Sequence, residues 1–481
     1  MSVATQIVDD ILNSGNFELW HTDDGQSYIS IKHPDLHVEH FPLKSRDTRH
    51  WLANFYYKKT KMVSNGAALT NAIAVLEGEA QEGPTHEVYI RVGGADSAIY
   101  LDLGNETWDA VEITAESWNV IQNPPVKFRR MAGMLPLPRP VPGGSLDRDL
   151  RPLLNAKSDD SWLLMKGWLL GLLILNGPHP IMAFRGEQDT AKSYTQKLLR
   201  AVVDPSKLKN RMPAKKVEDL MIAAKNNWVV SFDNMSKISD ALSDDLCNVS
   251  TGGGIAKRAH YTDSDETILE VCRPIIMNGI ENIITRPDLL DRSIYITLPQ
   301  IPAESRSPEV KLIAEFDEKL PKILGALLDA AVIAMRNADK IELKDPYRMA
   351  GFVKFAAAGL GEEGDKFQAA YKDNRDAAAA ESIADNYLVV RLIQLIPQYC
   401  HSVTFTGGEP CWKSNAAKLL DYLRHDLDEQ HAALLPKTPQ TLSAFLNRLI
   451  PSLRKVGLRA ERTKREGTKN TYQWEISVIK D

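Results

Sequence analysis

Residues 179–201 read HPIMAFRGEQDTAKSYTQKLLRA, and the fold class turns on how this stretch is punctuated. Pro180 to Phe184 is an apolar run short enough for a buried strand, and from Tyr194 the pattern is that of an amphipathic helix. Between them stand Gly186, Glu187, Gln188, Asp189, Thr190, Ala191, Lys192 and Ser193, nearly the phosphate-binding pattern GxxxxGK[ST] in its required order of strand, loop and helix. Such a loop turns backbone N–H groups toward phosphate oxygens, and the helix amino terminus adds positive partial charge. In this reading Lys192 reaches the outer phosphates and the Ser193 hydroxyl holds a magnesium ion, so ATP and Mg2+ are the expected ligands.

Two residues depart from the pattern. Ala191 replaces the second glycine, which is tolerable where the backbone keeps a negative φ. Asp189 places a carboxylate beside the phosphates; at about 5 Å and an effective dielectric near 20 the repulsion is on the order of 3 kcal/mol, and much less if the side chain faces water. The competing reading of the loop is an ordinary turn before an amphipathic helix.

Downstream, WVVSFDN carries Asp233 at the end of an apolar strand, where a carboxylate binds magnesium through water; it lies about 40 residues beyond Lys192. Asn234 follows, in place of a glutamate that could activate water. The strand RPIIMN ends in Asn278, suited to orienting an attacking water, and RPDLLDRSIYITLP carries Arg292 where a helix meets a strand. Arg292 is either an arginine finger for a neighbouring subunit or a surface partner of Asp288 or Asp291.

Around this centre the 481 residues are too many for one core and enough for about three. Residues 1–134 mix alternating segments with turn signals and read as an α/β domain; Leu135 to Gly144, LPLPRPVPGG, opens a linker over 135–150. Strands alternate with helices over 151–304, the pattern of a parallel sheet covered by helices. Residues 305–400 read as a helical lid or connector, and 401–481 as a separate carboxy-terminal domain. The apolar run Trp162 to Leu175 is too short to span a membrane, contains Lys166, and reads as a buried helix, so no membrane partner is expected. The four cysteines lack CxxC spacing and the amino terminus carries acids where an export signal needs bases, which together point to the cytoplasm. A net charge of −5 means that any affinity for nucleic acid must come from local basic patches.

Taken in order, GEQDTAKS, FDN, STGGGIAKRAHYTD, NGI and RPDLLDRSI resemble the ATPase core of superfamily III and phage-type primase-helicases of phages and integrated genomic islands. The Ala-Lys-Ser ending is also similar to the loop of minichromosome maintenance helicases. The resemblance spans about residues 180 to 300 and implies an AAA+ core with helices on both faces of a parallel sheet. It further implies a homo-oligomeric ring, a hexamer, with ATP between subunits and single-stranded or forked DNA in the channel. A DNA-contacting hairpin would then carry Lys257, Arg258 and His260; the bland alternative is a structural loop with solvated charges. No primase half is evident, so a separate primase or polymerase would act as partner.

Between Arg448 and Lys469 stand eight basic and two acidic residues, the footprint of a nucleic-acid surface. The segment reads as a winged helix: a helix from Thr441 to Lys455 bearing Arg448, Arg454 and Lys455, a turn at Gly457, and a wing bearing Arg462, Lys464 and Arg465. A protein-binding winged helix or a solvated basic face remains open. His33, His37 and His40 do not read as a metal site, because strand alternation puts His40 on the other face and no carboxylate or cysteine completes the set. Trp51, Phe55, Tyr56 and Tyr57 beside Lys58 and Lys59 read as core aromatics with a basic rim rather than a base-stacking platform.

The function expected is an ATP-dependent DNA helicase or translocase in replication of a phage or mobile element. A nucleotide-gated initiator that barely turns over is the first rival, motivated by Asp189 and Asn234. A protein-remodelling ATPase of regulation or phage defence is the second, and the absence of a GAFTGA-like loop weighs against its transcription-activator form.

Overall fold

The computed structural model describes all residues except 1, 35–36, 157, 209–210, 213, 215–216, 237, 259–265, 281–282, 285, 385–386, 403–410, 465–471 and 480–481. The chain forms two compact units, Met1–Ile283 with Ile296–Tyr371, and Ile284–Tyr295 with Lys372–Asp481.

The first unit opens with helix Val3–Leu12, then strands Phe17–His21, Ser27–Lys32 and Val38–Pro42 in an antiparallel sheet. Helices Arg46–Thr60 and Gly66–Glu82 follow, each started by a side-chain cap, Ser45 accepting from Thr48 N and Asn65 from Ala68 N. Ile7, Ile11, Leu52, Tyr56 and Leu76 meet Ile29 and Ile31 of the sheet in one core. Trp51 and Phe55 stack on each other and meet Phe17 edge-on, so these aromatics pack inward, whereas Tyr57 is exposed. The His33 and His37 pair differs from its sequence expectation. Glu39 stands within 3.4 Å of both the His33 and His37 rings, so a carboxylate does complete a three-ligand group. Strand alternation does keep His40 apart, on Ser30 Oγ, and the pairing of Lys32 with Val38 brings His33 beside His37 and within reach of Glu39.

A four-stranded antiparallel sheet, from Val92–Ala95 to Trp118–Ile121, precedes the Pro-rich segment. That segment is irregular, as its prolines require, yet it is tied down: Leu137 N donates to Leu103 O at 2.7 Å and Val141 N to Pro321 O at 2.9 Å. Gly325 is required where it passes, because a Cβ there would lie 2.0 Å from Val141 O. Helix Asp159–Gly171 is buried from Trp162 to its end, which bears out the reading of that apolar run. Among the described residues no helix is long and apolar enough to cross a membrane.

The central sheet has the order Val230–Met235, Ile275–Gly279, Ile181–Arg185, Ser293–Thr297. The first three run parallel, with Met182 opposite Ile276 and Ser231 also opposite Ile276. Ile181 to Phe184 and Ile275 to Met277 are wholly buried, which explains why these strands read as continuous apolar runs rather than alternating ones. Just past the fourth strand, Leu298 N donates to Arg185 O at 2.8 Å. The fold is thus mixed α/β with a parallel central sheet, and helices Glu309–Asn337 and Ala350–Gly359 continue the same unit.

The second unit runs through helix Tyr387–Ser402, strand Cys411–Ser414, helices Ala416–Arg424, Glu429–Ala432 and Pro439–Lys455, and antiparallel strands Leu458–Lys464 and Tyr472–Val478. Its core gathers Leu392, Leu419, Leu446 and Leu453 around Trp474.

Candidate functional site

The three parallel strands end side by side, and from Ile181–Arg185 the chain leaves this edge through Gly186. A Cβ at Gly186 would stand 2.8 Å from both Leu298 O and Thr190 Oγ1, so the loop closes only on a glycine. Thr190 is buried and its hydroxyl donates to Glu187 O at 3.0 Å. Asn155 anchors the loop from outside, its amide donating to Thr190 O at 3.0 Å and to Pro299 O at 2.6 Å. Helix Lys192–Ala201 begins without a side-chain cap, which leaves its first N–H groups facing the loop.

Ala191 does not keep the negative φ expected of it: φ is 58°, and Asp189 likewise stands at 64°. The loop retains the left-handed turn that its usual glycine supplies, and a non-glycine residue there carries strain of about 1 kcal/mol. Asp189 is answered by an arginine, with Arg306 Nη2 3.2 Å from its Oδ2.

Lys192 Nζ donates to Gly186 O at 2.7 Å, to Glu187 O at 2.5 Å and to Thr190 Oγ1 at 3.2 Å. Burial pulls its ammonium below the ordinary lysine value, against the pull of the Asp233 charge. Ser193 Oγ donates to Asp233 Oδ1 at 2.7 Å, and Asn278 Nδ2 donates to the same oxygen at 2.6 Å. The register of strands Val230–Met235 and Ile275–Gly279 shifts between Phe232 and Met235, and this irregularity presents Asp233 at the edge. Asn234 adopts φ 55° and its backbone N donates to Asn278 Oδ1 at 3.2 Å.

Lys192, Ser193, Asp233 and Asn278, named from sequence, therefore converge. Glu187 and Gly186 contribute their carbonyls to Lys192, while Gln188 has no role in these contacts. Three further residues escaped sequence reading. Gln196, fully buried, accepts from Asn278 Nδ2 at 2.7 Å and donates to Ser231 Oγ and Phe232 O. A polar residue on the inward face of the helix, one turn after Lys192, was the available signal. Asn155 and Arg306 had none, because both arrive from distant segments.

Two pockets flank the loop. One of about 430 Å³ is lined by Arg185, Gly186, Glu187 and Thr190. The other, of about 480 Å³, lies between Leu153, Asn155, Asp189, Tyr194, Ile301 and Arg306. These are volumes in the range of small-molecule sites. The residues present fit a magnesium nucleotide: a hydroxyl and a carboxylate share one locus, and an ammonium rests on neutral oxygens that phosphate oxygens would replace.

Arg292 belongs to the second unit, where Nη1 donates to Asp288 O at 2.7 Å; Asp291 pairs with Arg375 instead. Lys257 and Arg258 lie on strand Gly254–Arg258, paired with Glu266–Glu270 so that Lys257 faces Thr267 and Arg258 faces Glu266. The two strands run antiparallel. His260 and Arg465 lie outside the described residues, as do the side chains of Lys257, Arg258, Arg448, Lys455 and Lys464. Arg454 is exposed on helix Pro439–Lys455, and Arg462 lies 4.1 Å over the Tyr472 ring.

No curated protein matches the chain. Among solved structures it is similar to the apo C-terminal region of NrS-1, at 13% identity and a TM-score of 0.43 over 98% of this chain and 99% of that one. It is also similar to the SCCmec type IV Cch active helicase, at 13% identity and a TM-score of 0.48 over 96% and 93%. Residues 146–381 match the family model of the actinomycete integrative conjugative element replication protein, and residues 393–480 that of the AICE RepA C-terminal domain. The two models cover most of the chain and the whole loop-centred site, and the chain belongs to this family of mobile-element replication proteins.

Proposed function

We propose that this replication protein is an ATP- and magnesium-dependent DNA helicase or translocase of its mobile element. The observation that carries the reading is the shared oxygen: Asp233 Oδ1 receives both the Ser193 hydroxyl and the Asn278 amide, at 2.7 and 2.6 Å, beside the loop that holds Lys192. Bound magnesium would neutralise charge on the transferring phosphoryl group. Ser193 and Asp233 hold that ion, and the loop's backbone N–H groups and Lys192 bind the phosphates. The 480 Å³ pocket at Tyr194 and Asn155 takes base and sugar. Asn278 has both amide hydrogens engaged, on Gln196 and Asp233, so it acts by fixing the carboxylate and offers only Oδ1 to a water.

DNA, single-stranded or forked, is held by the hairpin of Lys257 and Arg258 and by the second unit. The order of helix, strand, two main helices and two closing strands supports a winged helix there, with Arg454 on its last helix and Arg462 at the wing. A ring of identical subunits, a hexamer, would bring Arg292 to a neighbour's nucleotide. Primer synthesis falls to a separate primase or polymerase.

Phosphate release from ATP, with and without single-stranded DNA, tests the reading on the intact protein and Lys192→Ala. Turnover raised by DNA and abolished by the substitution supports a DNA-coupled motor. The second reading, a nucleotide-gated initiator with little turnover, is favoured by Asn234, which stands after Asp233 where a carboxylate would activate water. Nucleotide binding without phosphate release would select it.

A further inference from the structure

His33, His37 and Glu39 lie before the segments that match the replication family, at one end of the sheet that contains Ser27–Lys32 and Val38–Pro42. Strands Ser27–Lys32 and Val38–Pro42 pair with Lys32 opposite Val38, and His33 N donates to His37 O at 2.9 Å, so the two histidines face each other across the end of a hairpin. Their rings lie parallel, with centroids 4.3 Å apart and planes 7° apart. Both present Nε2 to Glu39: His33 Nε2 is 3.4 Å from Oε2, and His37 Nε2 is 3.4 Å from Oε1. His33 Nε2 is sealed from solvent and makes no hydrogen bond among the described residues.

That geometry is poor for an ion pair. One carboxylate stands 3.4 Å from each of two stacked rings, longer than a charge-assisted hydrogen bond, and the buried His33 Nε2 goes without a hydrogen bond among the described residues. It suits a cation shared by all three. Metal to ligand distances of about 2.0 to 2.1 Å in a tetrahedral site place donor atoms about 3.3 Å apart, close to the two nitrogen to oxygen separations found. The ligand atoms of the three residues all lie within 4.8 Å of one another, so a modest ring rotation brings the imidazoles into range.

We propose that His33, His37 and Glu39 form a divalent metal site of the zinc class, with a water in the fourth position. Two imidazoles and one carboxylate form a donor set for zinc rather than for calcium or magnesium, which take oxygen ligands. The ion staples the end of the pair where Ser27–Lys32 passes into Val38–Pro42, linking the end of one strand to the start of the next. It is a different locus from the nucleotide's magnesium and does not depend on the chain being an ATPase.

The test uses the full chain, stripped with chelator, desalted at neutral pH and titrated with Zn2+ against a chromophoric indicator. One zinc per chain is expected at micromolar affinity or tighter. His33→Ala, His37→Ala and Glu39→Gln should each weaken it at least tenfold, while His50→Gln, at an exposed position, leaves it unchanged. Equal binding by the His33→Ala/His37→Ala double variant, or no binding by the unsubstituted chain, overturns the site. Cobalt on the unsubstituted protein gives a readout that no variant's misfolding can confuse: the intense visible absorption of a four-coordinate ion supports the site, and the weak spectrum of hexaaqua cobalt overturns it.

Discussion

Arg306 Nη2 lies 3.2 Å from Asp189 Oδ2, so the one acidic residue that the phosphate loop carries in an unfavourable place is met by a cation from the segment after the last central strand. Both side chains are about half exposed, so the pair itself is worth on the order of 0.6 kcal/mol. Its importance is to the ligand. With Arg306 removed, Asp189 faces incoming phosphate uncompensated. Arg306→Ala is expected to weaken nucleotide binding about threefold, and Asp189→Asn should help more in that background than in the unsubstituted chain. Titration with a fluorescent nucleotide across the four proteins measures the coupling. Equal effects of Asp189→Asn in both backgrounds would show that the pair is irrelevant to binding.

Gln196 joins the helix after the loop to both neighbouring strands, through Ser231, Phe232 and Asn278. Gln196→Ala leaves these buried groups unpaired and should cost about 1 to 3 kcal/mol of stability. ATP turnover should fall more than nucleotide affinity, because Asn278 loses the partner that fixes it against Asp233. Gln196→Glu keeps an acceptor for Asn278 and should recover part of the rate. A folded Gln196→Ala protein with normal turnover would remove Asn278 positioning from the mechanism.

These two residues mark the limit of sequence reading. The loop, its strand, and the Asp233 carboxylate and Asn278 amide at the ends of other strands were legible because their signals are local: apolar runs, one glycine, and a Lys-Ser pair opening a helix. The left-handed backbone of Ala191 was not, because side-chain chemistry does not report a φ that the surrounding loop imposes. Arg306 and Asn155 reach the loop from segments remote in sequence. Glu39 lies two residues beyond His37, on the face that alternation predicts, but the pairing of Lys32 with Val38 that brings His33 to the same place is not a local signal.

Asp204 is buried between Arg91 Nε at 3.3 Å and Arg200 Nη2 at 3.6 Å, and its other contact is Val229 N, donating at 3.0 Å. Arg91 also donates to the carbonyls of Asp102 and Leu135, so this carboxylate sits where the amino-terminal sheet, the Pro-rich segment and the central sheet meet. Asp204→Asn would remove the one carboxylate that both buried guanidinium groups approach among the described residues. A loss of about 3 kcal/mol or more is expected from urea unfolding midpoints. A shift worth less than about 1 kcal/mol would mean that water reaches those guanidiniums.

His179 is fully buried before the loop's strand, with Nδ1 3.1 Å from Gly171 O. Burial pushes its pKa down to about 3; the Gly171 carbonyl opposes that shift and Arg273 adds to it. The unfolded chain, with histidine near 6.5, therefore takes up the proton first as pH falls. Stability is full above about pH 6.5 and declines toward pH 3, with a loss of about 2 kcal/mol from this residue at pH 5. His179→Gln cannot titrate, so its unfolding midpoints at pH 7.5 and pH 5 should differ less than those of the unsubstituted chain. His40, also held near 3, keeps some acid sensitivity in the variant. An unchanged difference would show that His179 is protonated in the fold.

The hairpin of Gly254–Arg258 and Glu266–Glu270 carries the sharpest distinction between binding nucleotide and acting on DNA. Lys257 and Arg258 are adjacent on one strand, where each adds a positive charge. Lys257→Ala with Arg258→Ala, which removes both charges, should abolish stimulation of ATP turnover by single-stranded DNA and leave unstimulated turnover within about twofold. Removing a cation that neutralises a DNA phosphate should also flatten the salt dependence of DNA binding, by about 0.7 in slope per phosphate for single strands. Turnover still stimulated by DNA in the double variant, with an unaltered salt slope, would move the DNA-binding surface to the second unit. Arg454→Ala and Arg462→Ala would then be the substitutions expected to reduce stimulation.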